Sequence, residues 1–257
     1  MTEPDDHGEP ASTLPPAFYA SPRLLGRSAR RDWWTVLHPP YTLWHLSYVV
    51  IGSCLTGPVD RTRLLATVLA FFLAVGIGAH ALDELHGRPL RTTIPTAALV
   101  AAAVAGIGGA AGLGILGISR VGAVLAVFIA IGVVLAVGYN LEILGGALHT
   151  DITFALSWGA FPVLTGYYAQ HERLDVEAAV AALFAYFLSR AQRHLSTPAR
   201  ALRRRTSRVE GTIVHLDGAT TPLDRLVLLA PLEQALRALT AATVALAAAL
   251  ALVRIRA

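Results

Sequence analysis

Apolar residues recur along this chain in long unbroken runs. The runs lie near residues 41 to 57, 64 to 83, 96 to 117, 121 to 141, 152 to 169, 178 to 194 and 236 to 254. Each is about as long as a helix needs to cross roughly 30 Å of hydrocarbon. The residue-by-residue alternation of a membrane β-barrel is absent, so the backbone must satisfy its own hydrogen bonds as helices. The pattern predicts an all-α, polytopic membrane helix bundle of about seven spans. Residues 1–31 have no apolar run of their own and change from acidic and proline-containing to arginine-rich, which predicts a disordered cytoplasmic tail. Residues 32–257 read as a single transmembrane helical domain, with a basic cytoplasmic loop at 195–222 and an amphipathic stretch from Pro222 to Leu239.

Composition agrees: 54% of the 257 residues are hydrophobic and 15% charged, where a soluble domain has roughly a quarter charged. All 21 basic residues are arginine. They concentrate before the first run (Arg23, Arg27, Arg30, Arg31), after the second (Arg88, Arg91) and after the sixth (Arg200, Arg203, Arg204, Arg205, Arg208). With alternating spans these segments share one side, and the positive-inside rule makes that side, with the N-terminus, cytoplasmic. The expected location is a cell membrane, with multiple passes and the lipid bilayer as surroundings. The arginines flank spans and form no groove with stacking aromatics, so nucleic acid is not the expected partner. Cys54 is alone, which excludes disulfides within one chain.

Ionisable groups at membrane depth are expensive and mark candidate sites. The end of the second run carries His80, Asp83, Glu84 and His86, with Arg88-Pro89 just beyond. Tyr139, Glu142, Gly146 and His149 are spaced i, i+3, i+7 and i+10, which places all four on one helical face. Asp151 follows, and the sixth run closes with Arg190, Arg193 and His194. His45, one to two turns into the first run, suits a packing histidine. Gly108 and Gly112 form a small-xxx-small pair for close helix approach. Gly159, Pro162 and Gly166 suggest a kinked helix lining a cavity.

Two stretches together resemble the UbiA-type intramembrane prenyltransferase superfamily. That family closes its second span with Asn-Asp-x-x-Asp and a following Arg-Pro; here the text is Ala79-His80-x-x-Asp83-Glu84, then Arg88-Pro89-Leu90. Its fourth span carries Tyr-x-Leu-Lys and its fifth Gly…Pro…Gly; here these are Tyr139-Asn140-Leu141-Glu142 and Gly159, Pro162 and Gly166. The agreement covers residues 40 to about 195. Three positions depart from the family pattern: His80 stands where an aspartate is expected, Glu142 where a lysine is, and Ser189-Arg190-Ala191-Gln192-Arg193-His194 where a second aspartate-rich motif is.

The resemblance implies a UbiA-like enzyme acting on an isoprenoid or lipid substrate, by prenyl transfer from a prenyl diphosphate or by its cyclisation. Asp83, Glu84 and Glu142 would be catalytic; Tyr139, Arg88, Arg190, Arg193 and His194 would contact substrate; His80, Asp83, Glu142, His149 and Asp151 would hold a divalent metal. Magnesium or manganese follows from the family. Mixed imidazole and carboxylate ligands suit iron or zinc, which keeps open a metal-dependent lipid oxidase or hydrolase on the same scaffold. A non-catalytic lipid-binding protein is the third alternative.

Overall fold

The computed structural model describes residues 29–143 and 145–256. Residues 1–28 of the expected tail lie outside the described residues, while Ala29, Arg30 and Arg31 already belong to a helix, α1 (Ala29–Leu37). Then follow α2 (Pro39–Ser53), α3 (Arg61–Leu85), α4 (Thr96–Val121) and α5 (Leu125–Asn140). The segments Asp151–Ala155, Leu156–Ala160 and Phe161–His171 continue into one another and are together α6. The helices α7 (Val176–Arg204) and α8 (Arg225–Arg256) complete the bundle. Between these two lies a short antiparallel hairpin, β1 (Thr212–Val214) on β2 (Thr220–Pro222). The expected helical bundle is present, and this hairpin is a small addition to it. The expected loop at 195–222 is helical as far as Arg204.

Local sequence sets the breaks. His38 and Arg88 both precede a proline, which disfavours the right-handed helical conformation, and both sit at positive φ, 43° and 52°. Asp60 caps α3 by accepting from the Thr62 and Arg63 amides at 2.8 and 3.0 Å, and Thr150 caps α6 through the Thr153 amide at 3.1 Å.

From α2 to α8 the helices run alternately between two ends. At one end Arg61 donates to the Ile255 carbonyl (2.7 Å), Arg254 to Cys54 (3.2 Å), and Arg63 to the Ala169 and Arg120 carbonyls. These guanidinium groups satisfy carbonyls that the helix ends leave without intrahelical partners. At the other end Asp32 ties α1 to the Thr93 amide (2.8 Å), and Arg193 of α7 meets Asp151 of α6 (2.8 Å). Among the described residues three helices are long and apolar enough to cross a membrane: Arg61–Leu85, Thr96–Val121 and Arg225–Ile255. The chain is therefore a helical bundle with membrane-spanning elements. Expected spans at 41 to 57 and 121 to 141 correspond to shorter helices of 15 and 16 residues.

Glycines mark the close crossings. A β-carbon on Gly106 would lie 2.6 Å from the Leu73 carbonyl and 2.7 Å from the Gly78 amide, so α3 and α4 touch backbone to backbone there. Gly52 and Gly166 do the same for α2 against α6, and Gly159 for α6 against Ala185 of α7. The small pair expected at Gly108 and Gly112 is not such a contact, because a β-carbon at either meets open space. Seen from the sequence, one glycine-rich face of α4 looks like another; the register of α3 chooses Gly106.

Candidate functional site

Two π-helical segments bracket the site. Phe72–Ala79 in α3 ends immediately before His80, and Leu156–Ala160 in α6 contains Trp158. Such bulges leave backbone groups without regular partners and are frequent at functional sites. The Trp158 carbonyl is taken up by Nδ1 of His45 at 2.8 Å. His80 Nδ1 approaches the Gly76 carbonyl at 3.3 Å and His149 Nδ1 the Tyr139 carbonyl at 3.2 Å. A carbonyl only accepts, so Nδ1 is the donor in all three contacts. His45 is thus a buried packing histidine, as its isolated position in the first run predicts.

The loop after α3 accounts for two residues expected to do chemistry. Glu84 is wholly buried, and its carboxylate accepts from the Leu90 amide (2.9 Å), the Thr92 amide (3.0 Å) and the Thr92 hydroxyl (2.8 Å). Its lone pairs fasten the loop at Leu90 and Thr92 to the helix end, where sequence expected a catalytic carboxylate. Arg88 donates to the Ile94 carbonyl (2.6 Å) and the Thr96 hydroxyl (2.8 Å), bracing the start of α4.

Tyr139, Glu142, Gly146 and His149 do come together, though not along a helical face. The helix α5 ends at Asn140, and Glu142, Gly145 and Gly146 all take positive φ. The chain turns back there, so that the His149 ring stacks on Tyr139 with centroids 4.4 Å apart. Glu142 lies between His86 and His149, 3.7 Å from each. Asp151 receives Arg193 Nε at 2.8 Å, and the Arg193 guanidinium also lies 5.0 Å over the Phe154 ring. That hydrogen bond and charge hold the Asp151 carboxyl below the usual carboxylate range. Arg190 is half-buried on α7 and His194 is exposed.

Of the expected metal set only Glu142 and His149 are brought side by side. Asp151 belongs to Arg193, Glu142 stands between His86 and His149, and His80 faces the His38 ring with centroids 5.2 Å apart. Among the described residues no three His, Cys, Asp or Glu side chains gather closely enough to hold an ion. The residues present do not fit a divalent-metal centre built from His80, Asp83, Glu142, His149 and Asp151.

What gathers instead is positive charge. Asp83 lies within electrostatic reach of His149, Arg200 and Arg204, and Tyr139 within reach of Arg193, Arg200 and Asp83. No family model, no curated protein and no solved structure matches this chain. Arg200 is the informative residue. It is half-buried, its hydrogen bonds reach the Ser196 and Thr197 hydroxyls of its own helix at 3.4 Å each, and no described carboxylate is within 4.0 Å of it. Desolvation and then the Arg193 cation push its guanidinium below the ordinary value. His38, Arg200 and Arg204 were not singled out as site residues by sequence, which placed the arginines in a loop. The signal was present in the spacing Arg193, Arg200, Arg204, roughly two turns and then one, on a helix that continues past residue 194.

Behind this polar cluster the layer Val75, Ala79, Ala136, Tyr139 and Trp158 is packed and buried. Beyond it, between α3, α4, α5 and α6, lies an apolar cavity of about 160 Å³.

Proposed function

We propose that this protein is a multi-pass membrane protein of UbiA-like architecture that binds an isoprenoid or similar lipid by an anionic phosphate or diphosphate headgroup. The headgroup sits among Arg193, Arg200 and Arg204, beside Tyr139 and Asp83. Two features support the reading: the motif text shared with the prenyltransferases, and a basic cluster where that family has carboxylates. The observation that carries it is Arg200, a partly buried cation whose carboxylate partner is missing among the described residues. A guanidinium desolvated without a carboxylate in contact is costly, and a phosphate oxyanion is the ligand that its planar fork best matches.

The alternating directions of α2 to α8 favour seven passes, with this site on the arginine-rich, cytoplasmic side. In the proposed reaction the C–O bond of an allylic diphosphate breaks and its electron pair leaves with the diphosphate. Arginines aimed at that developing charge stabilise it. The faces of Tyr139 and Trp158 stabilise the allylic cation. The acceptor, or the substrate's own double bond, then forms the new bond and loses its proton to Asp83. The iron or zinc reading has no gathered ligand set to favour it and is not pursued.

The test is binding of geranylgeranyl diphosphate to purified protein in nanodiscs, with and without EDTA. The expected result is saturable binding that survives EDTA, with turnover lost in Asp83→Asn. Binding without turnover for any acceptor would leave a lipid-binding protein. Absence of binding would contradict the whole reading.

A further inference from the structure

The apolar cavity between α3, α4, α5 and α6 is separate from the arginine cluster, and one of the polar residues along it has a buried hydroxyl without a partner. Its walls are mostly small, aliphatic or aromatic side chains, among them Ala70, Ala111, Phe128, Ile129 and Phe161, and the hydroxyls of Thr67 and Thr165 along it are bonded to carbonyls of their own helices. Ser157 also lines it. That residue is 1% exposed, and its hydroxyl has no hydrogen-bond partner. It lies in the π-helical segment of α6, next to Trp158, whose ring meets Tyr139 edge-on at 5.9 Å. A hydroxyl buried beside hydrocarbon without a partner is unfavourable. The other serines buried in this bundle, such as Ser53 and Ser189, are bonded.

We infer that this cavity is a binding site for a lipophilic molecule with a single oxygen function, a hydroxyl or carbonyl, that hydrogen-bonds to Ser157 Oγ. The hydrocarbon part fills the space between α3 and α5 toward Arg63 and Arg120. The surroundings fit such an occupant. The two helices α4 and α5 carry large exposed apolar side chains, Val104, Leu116, Val127 and Val134 among them, so lipid is the medium from which the cavity fills. An apolar cavity with a few placed polar groups is the usual form of a site that orients a lipophilic ligand. The inference rests on the membrane reading of the chain but not on diphosphate binding, since none of the basic-cluster arginines lines this cavity.

Photolabelling of the purified protein in nanodiscs with a diazirine-bearing farnesol analogue, against the matching hydrocarbon without the hydroxyl, tests it. The alcohol is expected to label peptides carrying Phe128 or Phe161, and to do so about tenfold more efficiently than the hydrocarbon, the discrimination a single buried hydrogen bond supports. Ser157→Ala should remove that preference while leaving hydrocarbon labelling and pyrophosphate binding unchanged. Ala70→Phe should block both probes. Equal labelling by the two probes, or labelling unaffected by Ala70→Phe in protein with wild-type thermal unfolding, would overturn the inference. Loss of pyrophosphate binding alone would bear on the arginine site and leave this cavity standing.

Discussion

At the scale of single residues, the division between structural and chemical groups is decided by where hydrogen bonds end. Glu84 accepts three bonds from the loop it closes. Glu84→Gln places an amide that donates where only acceptors are wanted, and should lower unfolding free energy by about 1–3 kcal/mol; thermal unfolding in detergent measures this, and loss of ligand binding at unchanged stability would contradict the structural role. His38 behaves differently. Desolvation pushes its imidazole down to about 4, against the hydrogen bond to Val36, and Arg204 and Arg200 push the same way. Between pH 6.5 and about 4 the unfolded chain takes up a proton that the folded chain resists, so stability falls as pH drops through that window. The slope is on the order of 1 kcal/mol per pH unit, and His38→Asn should remove that share of it. Unfolding curves at several pH values in this window decide, and an unchanged slope in the variant would count against it. Sequence could mark Glu84 and Asp83 as adjacent carboxylates at a membrane edge. It could not distinguish them, because the difference lies in a loop that folds back eight residues later at Thr92.

At the scale of elements, helix type and approximate position were legible from hydrophobic runs, while register was not. The two π-helical segments leave no mark in a periodicity that tolerates small drifts, yet they set the facing of His80 and Trp158. The end of α5 is the clearest case. A helical extension through His149 would align Tyr139, Glu142 and His149 by spacing, but the chain leaves the helix after Asn140 and achieves the meeting by a turn through Gly145 and Gly146. The Gly78 and Gly106 contact gives the measurable consequence. Gly106→Leu forces α4 away from α3 and should destabilise by about 1–3 kcal/mol or more, whereas Gly108→Ala and Gly112→Ala, which meet open space, should leave the unfolding temperature within error. Equal effects at the three positions would show that the crossing lies elsewhere.

At the scale of the whole molecule, a helical membrane bundle follows from composition and run length, and its two ends differ in chemistry. One end uses Arg61, Arg63 and Arg254 to satisfy carbonyls at helix ends. The other collects Arg193, Arg200 and Arg204 around Tyr139 and Asp83. Counting arginines by side gives an expected orientation, but it could not separate anchors from the proposed ligand-binding groups, since α7 continues as a helix past its apolar run and carries Arg200 and Arg204 to the site. On the proposed reading, this cluster binds a phosphate-type anion without a metal. Calorimetric titration of purified protein with pyrophosphate in EDTA tests it most directly. Saturable binding is expected, weakened about 10- to 100-fold in Arg200→Gln at unchanged thermal stability, as loss of a charged hydrogen bond implies. Binding that appears only when a divalent ion is supplied, or that is indifferent to Arg200→Gln, would contradict it.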